Sequence, residues 1–401
     1  MAQPSIPAHG NKPLQPRLIA GDRLQQAIRR AGSLPVIRIT SRESADLIMM
    51  AIGAFHPLTG FMCQEDYHHV LETMHLSDGT LWPIPITLAV SQAQADQIQT
   101  GDVVALVDDE SDELMATLCV EEKFPYDKER EAKQVFRTSD AAHPGVAKLY
   151  QQAPLLLGGP VTALNEGPYP QWYGSQYSRP LETRALFLER NWQTVAAFQT
   201  RNPIHRSHEY CTKIALELCD GLFIHPLVGK LKDDDIPAEI RMQCYQVLLD
   251  NYYPADRTML RVYPMEMRYA GPREALLHAI IRQNYGCSHL IIGRDHAGVG
   301  SYYGPFDAQK IFDEIKPDDL YIKPLKIDWT FWCYRCESMA SHKTCPHGQA
   351  DRLIISGTRL REMLANNETI PVEFSRPQVV AVLQSFYQKQ KGHPHAGTKG
   401  R

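Results

Sequence analysis

The sequence predicts an α/β protein in three parts: a β-rich N-terminal region, a parallel sheet flanked by helices, and a small region rich in Cys and His. Three observations carry this reading. Residues 34–165 hold short strand-like runs broken by turn residues, with little helical periodicity; from about residue 192 strand, loop and helix alternate; and cysteines and histidines cluster after Leu325. A chain of 401 residues is too long for one core when a domain averages about 150 residues. The expected division is 1–170, 171–325 and 326–390, with a tail at 391–401.

Taken in order, the N-terminal strands are expected at 36–40, 84–90, 103–108 and 114–121, the last two forming a hairpin across the acidic stretch 109–112. The second region pairs a strand at 194–198 with a helix at 204–219, then 222–228 with 238–253, 260–263 with 273–285, and 290–293 with 307–315. Such alternation builds a parallel sheet whose ligands bind at the carboxyl ends of the strands. Helices follow near 356–365 and 377–389, and residues 391–401, rich in Gly, Lys and His, form a loose tail. There is no internal repeat, and no Gly-x-x-x-x-Gly-Lys-Ser/Thr loop of a P-loop kinase.

Composition excludes several classes. Hydrophobic residues at 43% and charged residues at 22% are globular values and argue against disorder. Forty-two Lys and Arg against 46 Asp and Glu give a net charge of -4, so no global positive field favours nucleic acid or an anionic membrane. The apolar runs at 155–157 and 290–292 fall far short of the roughly 20 residues that span a bilayer. Residues 1–16 are polar and Pro-rich without the apolar stretch of a secretory signal, which predicts the cytoplasm. Nine irregularly spaced cysteines suit reduced thiols better than a disulfide framework.

Chemistry concentrates in two stretches, each at the end of an apolar strand. The first reads Gln199-Thr200-Arg201-Asn202-Pro203-Ile204-His205-Arg206-Ser207-His208. Asn then Pro suits an N-cap and first helical position, which would turn free N–H groups and the positive end of the helix dipole toward the strand-end crevice, a setting for phosphate. His205 and His208, three apart, would share a helix face. A His pair by itself can simply pack or cap; here Gln199, Arg201 and Asn202 converge with it as donors to an oxyanion. The second stretch runs from Gly293-Arg294-Asp295-His296-Ala297 to Gly298-Val299-Gly300. Its glycines let backbone approach a ligand while Arg294, Asp295 and His296 supply charge and hydrogen bonds; the alternative is a glycine turn with a surface ion pair.

A third cluster, Cys333-Tyr334-Arg335-Cys336 followed by Cys345-Pro346-His347, has zinc spacing: one knuckle offers two thiolates and the second pair completes a tetrahedron. With all four positions filled by Cys333, Cys336, Cys345 and His347 the Zn²⁺ would be structural, with His342 as a spare ligand. The charged loop 230–237 reads as a solvated surface.

The two strand-end stretches resemble the Q-x-R-N-P-x-H-x-x-H and G-R-D-H-A-G motifs of the ATP sulfurylase (sulfate adenylyltransferase) family, without a departure. Phe55-His56-Pro57-Leu58-Thr59-Gly60-Phe61-Met62, Tyr269-Ala270-Gly271-Pro272-Arg273-Glu274-Ala275, Tyr303-Gly304-Pro305-Phe306-Asp307-Ala308 and Ile355-Ser356-Gly357-Thr358-Arg359 resemble further family segments, so the likeness runs from about residue 15 to 390. The resemblance implies a PUA-like β domain, a Rossmann-like nucleotidyltransferase domain and a small C-terminal domain that holds zinc in some members. It implies ATP, sulfate, adenosine phosphosulfate and pyrophosphate as ligands, Mg²⁺ with the ATP, a homodimer or other homo-oligomer, and a mobile lid at 230–237.

Residue by residue, the resemblance implies sulfate binding by Gln199, Arg201 and the backbone of Ala297. It implies ATP binding by Gln199, Thr200, Arg201, Asn202, Gly293, Arg294, Asp295 and His296, with a looser match near Ile327-Asp328. Thr200, Arg201, Asn202, His205 and His208 form the expected catalytic group, the two histidines facing the triphosphate. Two other readings stand beside this one: nucleotidyl transfer to a nicotinate or pantetheine phosphate, and a zinc-ribbon RNA-binding protein, which the charge balance disfavours.

Overall fold

The computed structural model describes residues 6–230 and 235–392. The N-terminal region is built on a seven-stranded sheet: β1 (Val36–Ile39), β2 (Gly60–Phe61), β3 (Leu88–Val90), β4 (Val103–Asp108), β5 (Leu114–Cys119), β6 (Glu122–Pro125) and β7 (Leu155–Ala163). β4 and β5 pair antiparallel as the expected hairpin. β7 is the hub, pairing with β2, β3, β5 and β6. Its interior Gly-Gly-Pro disguises it as a turn. The backbone needs those small residues: Gly159 has φ +145°, and a Cβ there would fall 2.0 Å from the carbonyl oxygen of Cys119.

This region is not poor in helix. Helices occupy Gly21–Ala31, Ser41–Ala51, Gln64–Thr73, Lys128–Phe136 and Pro144–Gln151. The helix Ser41–Ala51 buries every residue from Glu43 to Ala51, so it shows no polar face and hence no helical period in the sequence.

The second region holds five strands: β8 (Val195–Phe198), β9 (Gly221–Ile224), β10 (Thr258–Leu260), β11 (His289–Ile292) and β12 (Lys323–Lys326), all parallel in the order β10-β9-β8-β11-β12. The chain leaves β8 toward β9 on one side and returns to β11 on the other, which opens a crevice between the ends of β8 and β11. Connecting helices run at Arg206–Leu218, Ala238–Tyr252 and Pro272–Asn284. The last is buried at every position, and β8, β9 and β10 are buried throughout.

A three-stranded antiparallel sheet follows, with β13 (Thr330–Cys333) between β14 (Ser338–Ser341) and β15 (Arg352–Leu353). Its own core is four residues, Phe331, Cys333, Ala340 and Cys345. Helices Gly357–Ala365 and Pro377–Gly392 close the described chain; the rest of the expected tail, 393–401, lies outside the described residues.

The first two regions are joined through buried charge. Arg268 Nη2 meets both carboxylate oxygens of Asp46 at 2.7 and 2.6 Å, and Glu266 gathers Ser41, Arg42 and Lys148. These contacts tether the segment 266–269, whose next residues line the crevice. No described helix is long and apolar enough to cross a membrane.

Candidate active site

The crevice widens into a cavity of about 650 Å³ walled by both strand-end stretches. From the first come Gln199, Thr200, Arg201, Asn202 and His208; from the second, Gly293, Arg294, Asp295, His296 and Ala297. The structure therefore brings together every expected oxyanion and nucleotide residue of these stretches except His205.

His205 fails to reach the cavity because the helix begins later than Asn202-Pro203 suggested. Thr200 Oγ1 accepts the Asn202 N–H at 3.0 Å and donates to the Asn202 carbonyl at 2.9 Å, and Tyr245 OH donates to that carbonyl at 2.8 Å. These bonds hold residues 200–202 in a side-chain turn, so the helix starts at Arg206 with His205 as an extended N-cap. The first helical bond runs from Glu209 N–H to the His205 carbonyl at 2.9 Å. The His205 ring is buried against Phe374, with Nδ1 2.9 Å from Ser375 Oγ. Burial, with a smaller contribution from His208, pushes its pKa down to about 3.

His208 is half-buried in the cavity wall, and its Nδ1 accepts the His205 backbone N–H at 3.3 Å. Burial pushes it down to about 4, so at neutral pH the ring is uncharged, and with Nδ1 occupied as acceptor the proton sits on Nε2. The ring is thus a neutral donor.

The Arg201 guanidinium lies over the Tyr269 ring at 5.1 Å, with Nη1 3.4 Å from Tyr269 OH and 3.5 Å from Asp235 Oδ2. Residues 231–234 of the charged loop lie outside the described residues. Gln199 Nε2 contacts only Met267 Sδ, at 3.8 Å, and its buried Oε1 has no partner among the described residues. Its amide is a polar group waiting for a polar ligand.

In the second stretch Asp295 and Ala297 both adopt left-handed backbone, φ +54° and +55°. Such conformations cost on the order of 1 kcal/mol or more for non-glycine residues and recur at ligand sites. Arg294 stacks on Trp329 at 4.4 Å and pairs with Asp295 at 2.9 Å.

The sequence reading missed several wall residues: Met267, Tyr303, Trp329 and Thr330. Tyr303 sat in a stretch noted only for its resemblance; Trp329 and Thr330 lie just beyond Ile327-Asp328. None carries a local chemical signature, since each contributes ring area or shape from a separate element.

At the far side of β13, the Cys333, Cys336 and Cys345 sulfurs and His347 Nδ1 lie within 4.8 Å of one another. His347 Nδ1 is 3.3, 3.2 and 3.8 Å from the three sulfurs in turn, and the Cys336 and Cys345 sulfurs are 3.7 Å apart. Bonds of about 2.3 Å to sulfur and 2.0 Å to nitrogen on a tetrahedral ion require edges of roughly 3.5 to 3.8 Å. The donor set fits a metal ion.

Comparison with known proteins matches this geometry to a family. The ATP-sulfurylase family model matches residues 175–386, and a PUA-like domain model matches 6–166. Sulfate adenylyltransferase of Chlorobaculum tepidum is 56% identical over 380 residues, 94% of each chain, and that of a Psychrobacter species 53% over 387 residues, 96% of this chain and 92% of the other. The chain belongs to the ATP-sulfurylase family. A solved structure with the same fold, described as the hexameric APS kinase from Thiobacillus denitrificans, has TM-score 0.75 at 25% identity and covers 95% of this chain and 68% of its own. As an ATP-sulfurylase family member, the chain combines a PUA-like N-terminal domain with the α/β domain that holds the cavity.

Proposed function

We propose that the chain is a sulfate adenylyltransferase, joining ATP and sulfate to give adenosine phosphosulfate and pyrophosphate, or running the reverse. The observation that carries this reading is the single cavity in which Gln199, Arg201 and His208 face the Gly293–Ala297 stretch across the β8–β11 crevice, in a chain 56% identical to a sulfate adenylyltransferase.

The chemistry suits the inventory. Sulfate is a dianion at neutral pH and needs no general base, but Coulomb repulsion opposes its approach to a triphosphate. Catalysis is then positioning and charge neutralisation. Arg201, Gln199 and the Ala297 N–H bind sulfate; Thr200 and Asn202 shape the turn that aims them. The His208 Nε2–H donates to the phosphates, while His205 is a positioning residue, since its backbone N–H orients the His208 ring. Gly293, Arg294, Asp295 and His296 hold the nucleoside end, with Arg294 and Trp329 as a stacking platform. A sulfate oxygen attacks the α-phosphorus, the bond from that phosphorus to the α,β-bridging oxygen breaks, and pyrophosphate leaves in line with that oxygen. Mg²⁺ bound with ATP supplies charge neutralisation at the leaving group.

The four-donor cluster binds Zn²⁺, which staples a sheet whose own core is four residues. The protein acts in the cytoplasm as a homo-oligomer, with boundaries near residues 170, 325 and 390. Pyrophosphate formation from MgATP, drawn forward by pyrophosphatase, tests the assignment: it should require sulfate, and activity supported instead by a nicotinate or pantetheine phosphate would overturn it.

A further inference from the structure

Behind the cavity wall three side chains run in line from the core to the second stretch. Glu274, fully buried, accepts the backbone N–H of Arg268 through Oε1 and of Ala270 through Oε2, both at 2.9 Å. One turn along the same helix, His278 is also fully buried; its Nε2 makes no hydrogen bond among the described residues and lies 3.6 Å from Glu274 Oε1, an ion-pair distance. Its Nδ1 lies 3.1 Å from His296 Nε2. His296 lines the cavity, and among the described residues nothing hydrogen-bonds its Nδ1.

The order of protons along this chain follows from the carboxylate's charge and from valence. The Glu274 carboxylate is the charge nearest His278 Nε2 and favours a proton there over a lone pair, which leaves His278 Nδ1 bare; across the 3.1 Å contact His296 then carries its proton on Nε2. A neutral imidazole has one N–H, so His296 Nδ1 is bare. Burial holds both rings below the ordinary histidine range, at His278 against the opposing pull of Glu274 and at His296 with help from His278; the charge of Arg282, itself buried over the Tyr263 ring at 3.9 Å, adds to both. Neither ring gains a second proton at neutral pH.

We propose that Glu274 and His278 are positioning residues that fix the tautomer of His296, so that it meets the nucleotide with a bare Nδ1 accepting a hydrogen bond from a neutral donor. The donors a nucleotide offers are its ribose hydroxyls and the adenine amino group. This rests on the reading that the cavity holds MgATP. The two histidines facing the cavity then have opposite polarity: His208 gives a proton to a hydrogen bond and favours phosphate oxygens, whereas His296 turns a lone pair to the ligand and disfavours them. The pair sets which end of the nucleotide lies at which strand.

The test uses the whole chain and two readouts independent of sulfate turnover. In ¹⁵N-histidine NMR spectra, with the His296 signals assigned by loss in H296A, Nε2 should be protonated and Nδ1 bare. Binding of magnesium ATP should be compared with 2′-deoxy, 3′-deoxy and 6-desamino analogues by calorimetry. One analogue should bind about threefold to tenfold more weakly than ATP to the wild type, the worth of one hydrogen bond, and this ratio should vanish in H296A and shrink in H278L. H278Q, whose amide oxygen can face His296 while its NH₂ faces Glu274, should retain it. A proton on His296 Nδ1, or analogue ratios unchanged in H296A, would overturn the proposal even if H278L does not fold. A wild type that shows the tautomer and the ratio without sulfate-dependent activity would fault the functional reading instead.

Discussion

Arg201→Ala removes the only full positive charge that the first stretch places in the cavity wall. The guanidinium is about a quarter exposed, its side chain at 26%, and its contacts are the Tyr269 ring and Asp235 rather than the core. Folding should therefore survive, with unfolding free energy changed by less than about 1 kcal/mol. The catalytic loss should be far larger. Two charge-assisted bonds to a sulfate dianion are worth about 1.5–3 kcal/mol each, so about 3–6 kcal/mol of transition-state stabilisation goes, or roughly 10² to 10⁴·⁵ in rate. Steady-state kinetics varying sulfate and MgATP separately should show this fall in kcat/KM for sulfate, with binding of MgATP alone altered by no more than about threefold. Arg201→Lys should fall between the two, because an ammonium keeps the charge but loses the planar fork. A well-folded R201A enzyme within about tenfold of wild type would refute the role assigned to this residue.

Three further expectations follow from other parts of the molecule. Removing metal with a strong chelator, or Cys336→Ser, should release about one zinc per chain and raise the KM for MgATP, because β13 carries the fold from the cluster to Trp329 and Thr330; metal analysis and thermal unfolding check this, and a fully active, metal-free protein of unchanged melting temperature would contradict it. Asp46→Ala should cost about 3–5 kcal/mol in denaturant unfolding by leaving the Arg268 guanidinium buried without its carboxylate, and Asp46→Asn should recover only part of it. Stability should rise with pH between about 4.5 and 6.5: His9 and His205 are buried and pushed down to about 4 and 3, so each binds a proton on unfolding there, whereas Glu131, buried and raised to about 7, releases one. His56 and His208, both pushed down to about 4 by burial, act in the same direction as His9 and His205, so four protons taken up against one released leave about three bound by the unfolded chain, a slope of about 4 kcal/mol per pH unit, which unfolding at pH 5 and pH 6 measures directly; a flat or falling profile would be the wrong sign.

The legibility of this chain followed burial. β8, β9 and β11 were visible as apolar runs between helical stretches, while β10 was expected at 260–263 and lies at Thr258–Leu260. β12 was not visible, because Lys-Pro-Leu-Lys is an edge strand with no buried residue. The helix Ser41–Ala51 was invisible for the opposite reason, being buried on all sides, and β7 hid behind its glycines. In the site, residues contiguous in sequence could be read together because each group follows a strand end. The cavity's aromatic walls, Tyr303 and Trp329, and Tyr269 against the Arg201 guanidinium come from three other segments, and only the fold unites them. The helix start was placed too early for a local reason: an Asn-Pro pair announces a helix start, yet here the Thr200 side chain and Tyr245 capture the Asn202 backbone first, which leaves His205 as the N-cap. The relay from Glu274 through His278 lay in a fully buried helix, where two titratable residues four apart carry no sign of the loop they support.

The central claim, that one sulfate oxygen attacks the α-phosphorus in this cavity, is tested most directly by the fate of isotope. With sulfate carrying four ¹⁸O atoms and unlabelled MgATP, mass spectrometry of the adenosine phosphosulfate formed should find all four labels retained, one of them in the bridge to phosphorus. Loss of one label, or no labelled nucleotide at all from active-looking, folded protein, would contradict it.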